Sequence, residues 1–441
     1  MQGKEGRNRR AAISCCCVVF CALWPAIGRA QQEDDKPPRD FPPPPPPPSA
    51  LRPQEFTLGY RLNLSYPGHI DRENVASLSM ASMDLLHLAL QDNGEDPFYF
   101  RIPKWGAAYA IDSAIRYVGH EYGHLSSFSK AGRNQAVFGD KDKIQTSAPK
   151  ASVGKMFLSG FNPFDNSAVS ISQSDWDQIV QDLGNNSLKL TQFKISVKAG
   201  GVNQEEVLLD RYSERLYDGE LSALDTMPFL ISGAAVLKYP TSIEMSDVSD
   251  YVSELKRSGL RTSVGQLHTL SALTLISGSS LAAFRGFFLG LATGRGGMVE
   301  PFKLPLGEHV EVFAPELDNY LSIFGPTLKP SIPIRLYGVL LQPSYEQLFV
   351  SGTTKAEAGL TVRAPLASFL ALHGAGFENV DGGDWLEAGL ELFPLKWLSL
   401  SLGYAWARDY SFHRDVFGAS NDLLKRGEQS LLVGVSAFHQ F

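Results

Sequence analysis

The chain has 441 residues, 44% hydrophobic and 20% charged, which is too long for one small module and too apolar for a disordered chain. Its 47 acidic and 40 basic residues leave a net charge of −7, which excludes a nucleic-acid binder that works through a strongly basic surface. A mean hydropathy of −0.10 excludes a conventional polytopic helical membrane protein but not a β-barrel, whose strands are only half apolar.

The N-terminus has the plan of an export signal spanning residues 1–30. Lys4, Arg7, Arg9 and Arg10 precede an apolar run from Ala11 to Trp24, and Gly28-Arg29-Ala30 suits cleavage before Gln31. Phe20 before Cys21 is a poor fit to a lipoprotein signal. All four cysteines (Cys15, Cys16, Cys17 and Cys21) lie in this segment, so the mature chain is expected to have no disulfide and no thiol chemistry. Cleavage would carry the net charge from −7 to −11 by removing five basic residues and one acid. Residues 31–54 form a linker whose seven consecutive prolines, Pro42 to Pro48, favour polyproline II and cannot build a core.

Residues 55–67 contain the first strand signal. Phe56, Leu58, Tyr60, Leu62, Leu64 and Tyr66 alternate with Thr57, Gly59, Arg61, Asn63 and Ser65. Residues 68–300 are mostly helical in pattern, with helices expected over Asn74–Gln91, Trp105–Lys130 and Asn203–Val236. Ser174 with Asp177 suggests a cap for another. Leu267–Ala292 is apolar apart from His268 and Arg285, and Gly286, Gly290 and Gly294 fall on one face, small enough for close helix packing. The segment suits a buried core helix, a membrane-dipping helix or a plug within the barrel; an isolated Arg285 in lipid would be costly, so the buried and plug readings are favoured over a free span.

Residues 301–441 alternate with a period of two. The runs Ala356–Arg363, Leu386–Leu392, Leu398–Ala407 and Leu431–Phe441 place apolar side chains at every second position. Val310–Phe313, Tyr320–Phe324 and Ile332–Leu341 are weaker strands. Tight proline-containing turns at Ala364–Ala367 and Phe393–Lys396 contrast with long polar loops at Phe377–Asp384 and Arg408–Gln429. Short turns on one side and long loops on the other are the habit of outer-membrane barrels, with Trp397, Tyr404 and Trp406 as interface aromatics. About eight strands are expected, the smallest usual closed barrel, with the first closing against the last. Phe441 at the end of an alternating strand resembles the terminal aromatic signal read by the bacterial outer-membrane assembly machinery. The expected class is therefore α+β: a mainly helical domain plus an antiparallel outer-membrane barrel, in the cell outer membrane of a Gram-negative bacterium, with outer-membrane lipid as a partner.

The chemistry lies in His120-Glu121-Tyr122-Gly123-His124, an H-E-x-x-H. On a helix the two imidazoles stand one turn apart on one side and can share Zn²⁺, with Glu121 beside them to take a proton from water. Ala107, Ala108, Ala110 and Ala114 support a helix there. A third ligand is needed. After Gly200-Gly201, Asn203 opens an expected helix carrying Glu206 and, four residues on, Asp210 on the same face. Glu206 could ligate zinc and Asp210 orient His120. The plainer reading of Asn203 and Glu206 is a capping box that needs no metal, and Glu205, Glu214 and Glu220 are other candidates. Tyr212 and Tyr217 on that helix are expected to be packing or surface residues.

The H-E-x-x-H with a later E-x-x-x-D resembles the gluzincin class of zinc metallopeptidases. The resemblance covers these motif positions and not the chain. It implies Zn²⁺ held by His120, His124 and Glu206, Glu121 as general base, Asp210 behind the ligands, and a protein or peptide substrate. A non-enzymatic barrel with a helical insert is the alternative. An intramembrane peptidase ranks lower, because Ala107–Phe128 carries Asp112, Arg116 and Glu121.

Overall fold

The computed structural model describes residues 57–66, 72–90, 97–133, 150–151, 157–158, 169–170, 177, 180–181, 187–239, 246–293, 297–351, 355–367, 369–379, 384–395, 398–407 and 429–440. The signal, the proline run, the Ser174 cap, Gly294 and Phe441 lie outside them.

Strand β1 (Thr57–Tyr66) is followed by helices α1 (Arg72–Leu90) and α2 (Phe98–Arg133). Helix α2 starts earlier than its alanine run suggests. Pro103 lies in its second turn and removes one intrahelical bond, that to the Tyr99 carbonyl. A two-stranded ladder joins β2 (Lys150–Ala151) and β3 (Val169–Ser170). Helix α3 (Ser187–Asp218) then runs straight through Gly200-Gly201. The expectation of a helix beginning at Asn203 is corrected: the glycines are contact points. A Cβ on Gly123 would stand 2.2 Å from the Gly200 carbonyl oxygen, so α2 and α3 touch backbone to backbone. Asn203, freed from any capping role, donates to the Leu321 carbonyl at 2.9 Å and accepts from the Leu321 N–H at 3.0 Å.

Helices α4 (Thr226–Gly233), α5 (Asp247–Arg257), α6 (Val264–Thr274) and α7 (Gly278–Thr293) complete the helical part, with a 3₁₀ turn at Val236–Lys238. The continuous apolar helix expected over Leu267–Ala292 is broken, with α6 and α7 bent by 66°. The cause is local. Ser277 Oγ accepts from the Ser280 N–H as a cap, and Gly278 bonds the Pro315 carbonyl at 2.8 Å. Glu316 accepts from the Ser279 N–H and hydroxyl at 2.9 and 2.6 Å at the α7 N-terminus. The small-residue face of α7 packs closely as expected: a Cβ on Gly286 would meet Val299 at 2.5 Å and one on Gly290 would meet Ala223 at 2.8 Å.

Helix α3 is the spine between two cores. On one side Met80, Met83, Leu208, Tyr212, Phe229 and Ala282 pack together. On the other, Ile195, Val202, Val248, Tyr251, Leu255 and Leu267 do so with strand residues Leu321 and Ile323.

The strands are β4 (Lys303–Pro305), β5 (Val310–Phe313), β6 (Glu316–Ser322), β7 (Gly325–Ser331), β8 (Ile334–Leu336), β9 (Val339–Leu348), β10 (Ala356–Ala367), β11 (Leu370–Asn379), β12 (Asp384–Leu395), β13 (Leu398–Ala407) and β14 (Gln429–Gln440). With β1 they form one twelve-stranded antiparallel sheet in the order β1-β14-β13-β12-β11-β10-β9-β8-β5-β4, the β6–β7 hairpin joining through β9. First and last strands pair as expected, Leu58 opposite His439 and Tyr66 opposite Leu431. The expected count of about eight is exceeded because the short β4, β5 and β8 and the β6–β7 hairpin join the long strands. The expected closure is also corrected: among the described residues the sheet is open, with β1 and β4 at its edges. Helix α1 lies against β1 and α3 against β6.

The long strands invert the usual burial. Glu387 and Glu391 are 1% and 4% exposed while Leu390 and Leu392 are 45% and 47% exposed. Ser399 is buried and donates to Glu391 at 2.6 Å, and His373 lies 3.2 Å from the same carboxylate. Leu400, Leu402 and Tyr404 stand outward.

Candidate metal centre

The α2–α3 crossing sets the site. His120 and His124 lie one turn apart on α2 and face α3. Nδ1 of His120 is 2.9 Å from Glu205 Oε1, and Nδ1 of His124 is 2.7 Å from the Val197 carbonyl oxygen. Both acceptors belong to α3. In the neutral form of each ring, Nδ1 carries the proton for its acceptor and Nε2 keeps a lone pair. The two Nε2 atoms are 3.3 Å apart. Lone pairs facing one another at that distance repel unless a cation or a proton lies with them.

Asp247 completes the convergence. Its Oδ2 is 3.2 Å from His124 Nε2 and 3.5 Å from His120 Nε2. The Tyr239 hydroxyl is 3.2 Å from His120 Nε2. Two imidazole nitrogens and a carboxylate oxygen make a donor set suited to zinc. The space is kept by Gly201, where a Cβ would stand 2.4 and 2.5 Å from the two Nε2 atoms. The residues present fit a metal ion. The site opens on its α5 side, where the Asp247 and Lys198 side chains are 27% and 38% exposed.

The surrounding charges hold these groups in place. Arg116 forms an ion pair with Glu205. Burial raises the Glu205 pKa, but Arg116, Lys238 and His120 outweigh it and bring the carboxyl to about 2. Burial lowers the His120 pKa, but bonds to Asp247 and Glu205 carry it to about 9. Asp247 is likewise held well below the usual carboxylate range, its burial outweighed by the two histidines.

The structure gathers some of the residues singled out by sequence and not others. His120 and His124 meet, and Glu121 is buried between them in sequence, its charge felt at the Tyr239 phenol. At this site the ligand atoms that gather within 4.8 Å of one another are those of His120, His124 and Asp247, without Glu206. Glu206 is buried one position, about 100° of helix, beyond Glu205. Asp210 does not reach His120; Glu205 accepts from that ring instead. Asp210 acts on the Tyr217 phenol toward the sheet. Glu214 pairs with Arg211 at 2.5 Å. Tyr212 is a core residue against Met83, and Tyr217 bonds Glu316. Asp247 and Tyr239 escaped the sequence reading. The available signal was Ser246-Asp247-Val248-Ser249, whose two serines form a capping box that seats Asp247 in the first turn of α5.

A second cluster lies in the same helical part. His87 Nδ1 is 2.7 Å from Asp225, and its Nε2 is 2.9 Å from Asp112. Arg215 grips Asp84 with two bonds of 2.8 and 2.7 Å. Burial lowers the His87 pKa, but the two carboxylates outweigh it and bring it to about 10. Asp84, His87 and Asp225 have ligand atoms close enough for a metal. Both ring nitrogens, however, face acceptors as an imidazolium's N–H groups would, so no lone pair is left for an ion.

No family model and no curated protein matches the sequence. Among solved structures the chain is similar to Acinetobacter baumannii OccAB3 at 12% identity and a TM-score of 0.23, over 32% of this chain and 46% of that one. It is similar to in-vitro folded OmpT, an outer membrane protein of Vibrio cholerae, at 12% identity and a TM-score of 0.21, over 31% and 46%. The outer-membrane expressed OmpT gives the same identity and score over 31% and 54%. The chain thus matches about half the length of each of these proteins.

Proposed function

We propose that the chain is a zinc-dependent peptidase of the bacterial outer membrane, acting on exported proteins or peptides. The observation that carries the chemistry is the pair of Nε2 atoms 3.3 Å apart, each ring having its other nitrogen bonded to an acceptor on α3. The ligands in this reading are His120, His124 and Asp247, with Asp247 in the role that the motif resemblance gives to Glu206. Glu205 and the Val197 carbonyl orient the two rings. Zinc bound there supplies a Lewis acid that acidifies water and polarises a peptide carbonyl. Glu121 takes the proton of the attacking water and returns it to the leaving amine. Tyr239 donates to the oxygen on which negative charge develops. The peptide enters from the Asp247–Lys198 side.

The membrane reading rests on the inverted strands. A soluble sheet would bury Leu390 and Leu402 and expose Glu387, whereas a barrel in lipid does the reverse. Strands β10 to β14 with β1 are the membrane-facing part. The alternative, a non-enzymatic outer-membrane protein with a helical insert, is favoured by one observation. With His120 protonated up to about pH 9, its bonds to Asp247 and Glu205 are satisfied without any metal.

The metal content of the purified full-length protein separates the two. The peptidase reading expects one zinc per chain, lost in His120→Ala. It also expects peptide cleavage that falls about 10²–10⁴-fold in Glu121→Gln with zinc retained. A metal-free protein unchanged by both substitutions establishes the alternative.

A further inference from the structure

Helix α7 has an unusual outer face. Its inner face of Gly278, Ala282, Ala283, Gly286 and Gly290 is buried. Leu281, Phe288 and Leu289 on the opposite face are 46%, 62% and 55% exposed, and the helix carries no charged residue except Arg285. Arg285 is turned aside, its guanidinium 4.5 Å from the Phe302 ring. The start of α2 extends this surface. Trp105 stacks edge-on against Phe287 at 5.2 Å, and Arg101 donates to the Ala292 carbonyl at 3.0 Å. That brings Tyr99, Phe100, Ile102 and Tyr109, all at least half exposed, beside α7.

We propose that this face is seated in the lipid bilayer, so that the helical domain is anchored to the membrane beside its sheet. The inference rests on the membrane reading of the strands. Three observations select lipid as the occupant. First, the surface is zoned: Phe288 and Leu289 are purely apolar, while Tyr99, Arg101, Lys104 and Tyr109 bring the aromatic and basic side chains that settle at headgroup level. Second, it continues through Phe302 into edge strand β4, where Leu304 and the following Leu306 are each 61% exposed, and so into the sheet whose outer surface is leucine-rich. Third, α6 and α7 together have the length and apolarity of a membrane span but are bent by 66°, and among the described residues no single helix is long and apolar enough to cross a membrane. A bent pair of this kind suits a helix seated in the membrane boundary.

The test uses the full chain with Cys15, Cys16, Cys17 and Cys21 replaced by Ser. Single cysteines at Phe288, Leu289, Leu402 and Ser253 carry an environment-sensitive fluorophore. The proteins are reconstituted into phosphatidylethanolamine–phosphatidylglycerol vesicles with or without nitroxide-bearing lipid. Labels at 288 and 289 should lose emission to the nitroxide lipid and resist aqueous iodide. The label at Ser253, on the exposed side of α5, should do the opposite. Quenching by iodide at 288 and 289 overturns the proposal, as does protection from both quenchers, which means that protein covers the face. Leu402 reports separately on the sheet: its failure to meet lipid would sink the membrane reading of the strands without deciding the helical face. All four positions are at the surface, and retained near-ultraviolet circular dichroism checks that the fold survives labelling.

Discussion

Two histidine–carboxylate clusters lie in the same helical domain, and they use the same side chains for opposite ends. At His87 both ring nitrogens meet carboxylates, and the ring is an imidazolium whose charge is met by Asp112 and Asp225. At His120 and His124 one nitrogen of each ring is tied to α3, and the others converge on the space kept by Gly201. Residue type therefore does not distinguish the metal site proposed at His120 and His124 from the buried ion pair at His87. The destination of the N–H groups does, and it is set by what the neighbouring helix presents at each ring.

The comparison can be broken at either cluster. The largest effect is expected from Gly201→Ala, whose methyl group would fill the space between the two Nε2 atoms. Zinc content should fall to nothing while circular dichroism keeps its helical signal; full zinc in this variant would mean that the ion sits elsewhere. Next is His87→Ala, which leaves Asp112 and Asp225 buried without their cation and should cost about 3–5 kcal/mol in denaturant unfolding. Its zinc content should be unchanged, which separates stability from metal binding. A smaller effect is expected from Glu205→Gln, which weakens the hold on His120 and should lower zinc affinity about 10–100-fold without abolishing it.

The His87 cluster also makes a pH prediction with a definite sign. Its pKa rises from the ordinary 6.5 to about 10 on folding. The stability it contributes is present in full below pH 6.5 and is lost as the pH rises through about 10. Unfolding free energy measured from pH 6.5 to 10 should therefore decline, and the decline should be weaker in His87→Gln. An equal decline in both proteins would remove His87 from the account.

Part of this arrangement was legible in the residues. The five-residue run from His120 to His124 announces paired imidazoles because helical spacing alone puts i and i+4 together. The alternation in β12 and β13 announces strands because the period is carried by consecutive residues. What escaped depended on distant parts of the chain. Gly200-Gly201 looked like a break because glycine disfavours helices, but the contact with Gly123 and the histidines supplies a reason for glycine within one. Asp247 comes from a helix whose place against α3 is set by packing through Tyr251 and Leu255, which no local spacing encodes. The bend at Ser277-Gly278 could have been read from its serines, but the bond to Pro315 that holds it could not.

The central claim is that three particular side chains hold one metal ion, and the most direct measurement is the zinc content of Asp247→Ala beside that of Glu206→Ala. The account predicts that the first loses its zinc or binds it far more weakly, while the second keeps the full complement. Zinc retained without Asp247 and lost without Glu206 would contradict it.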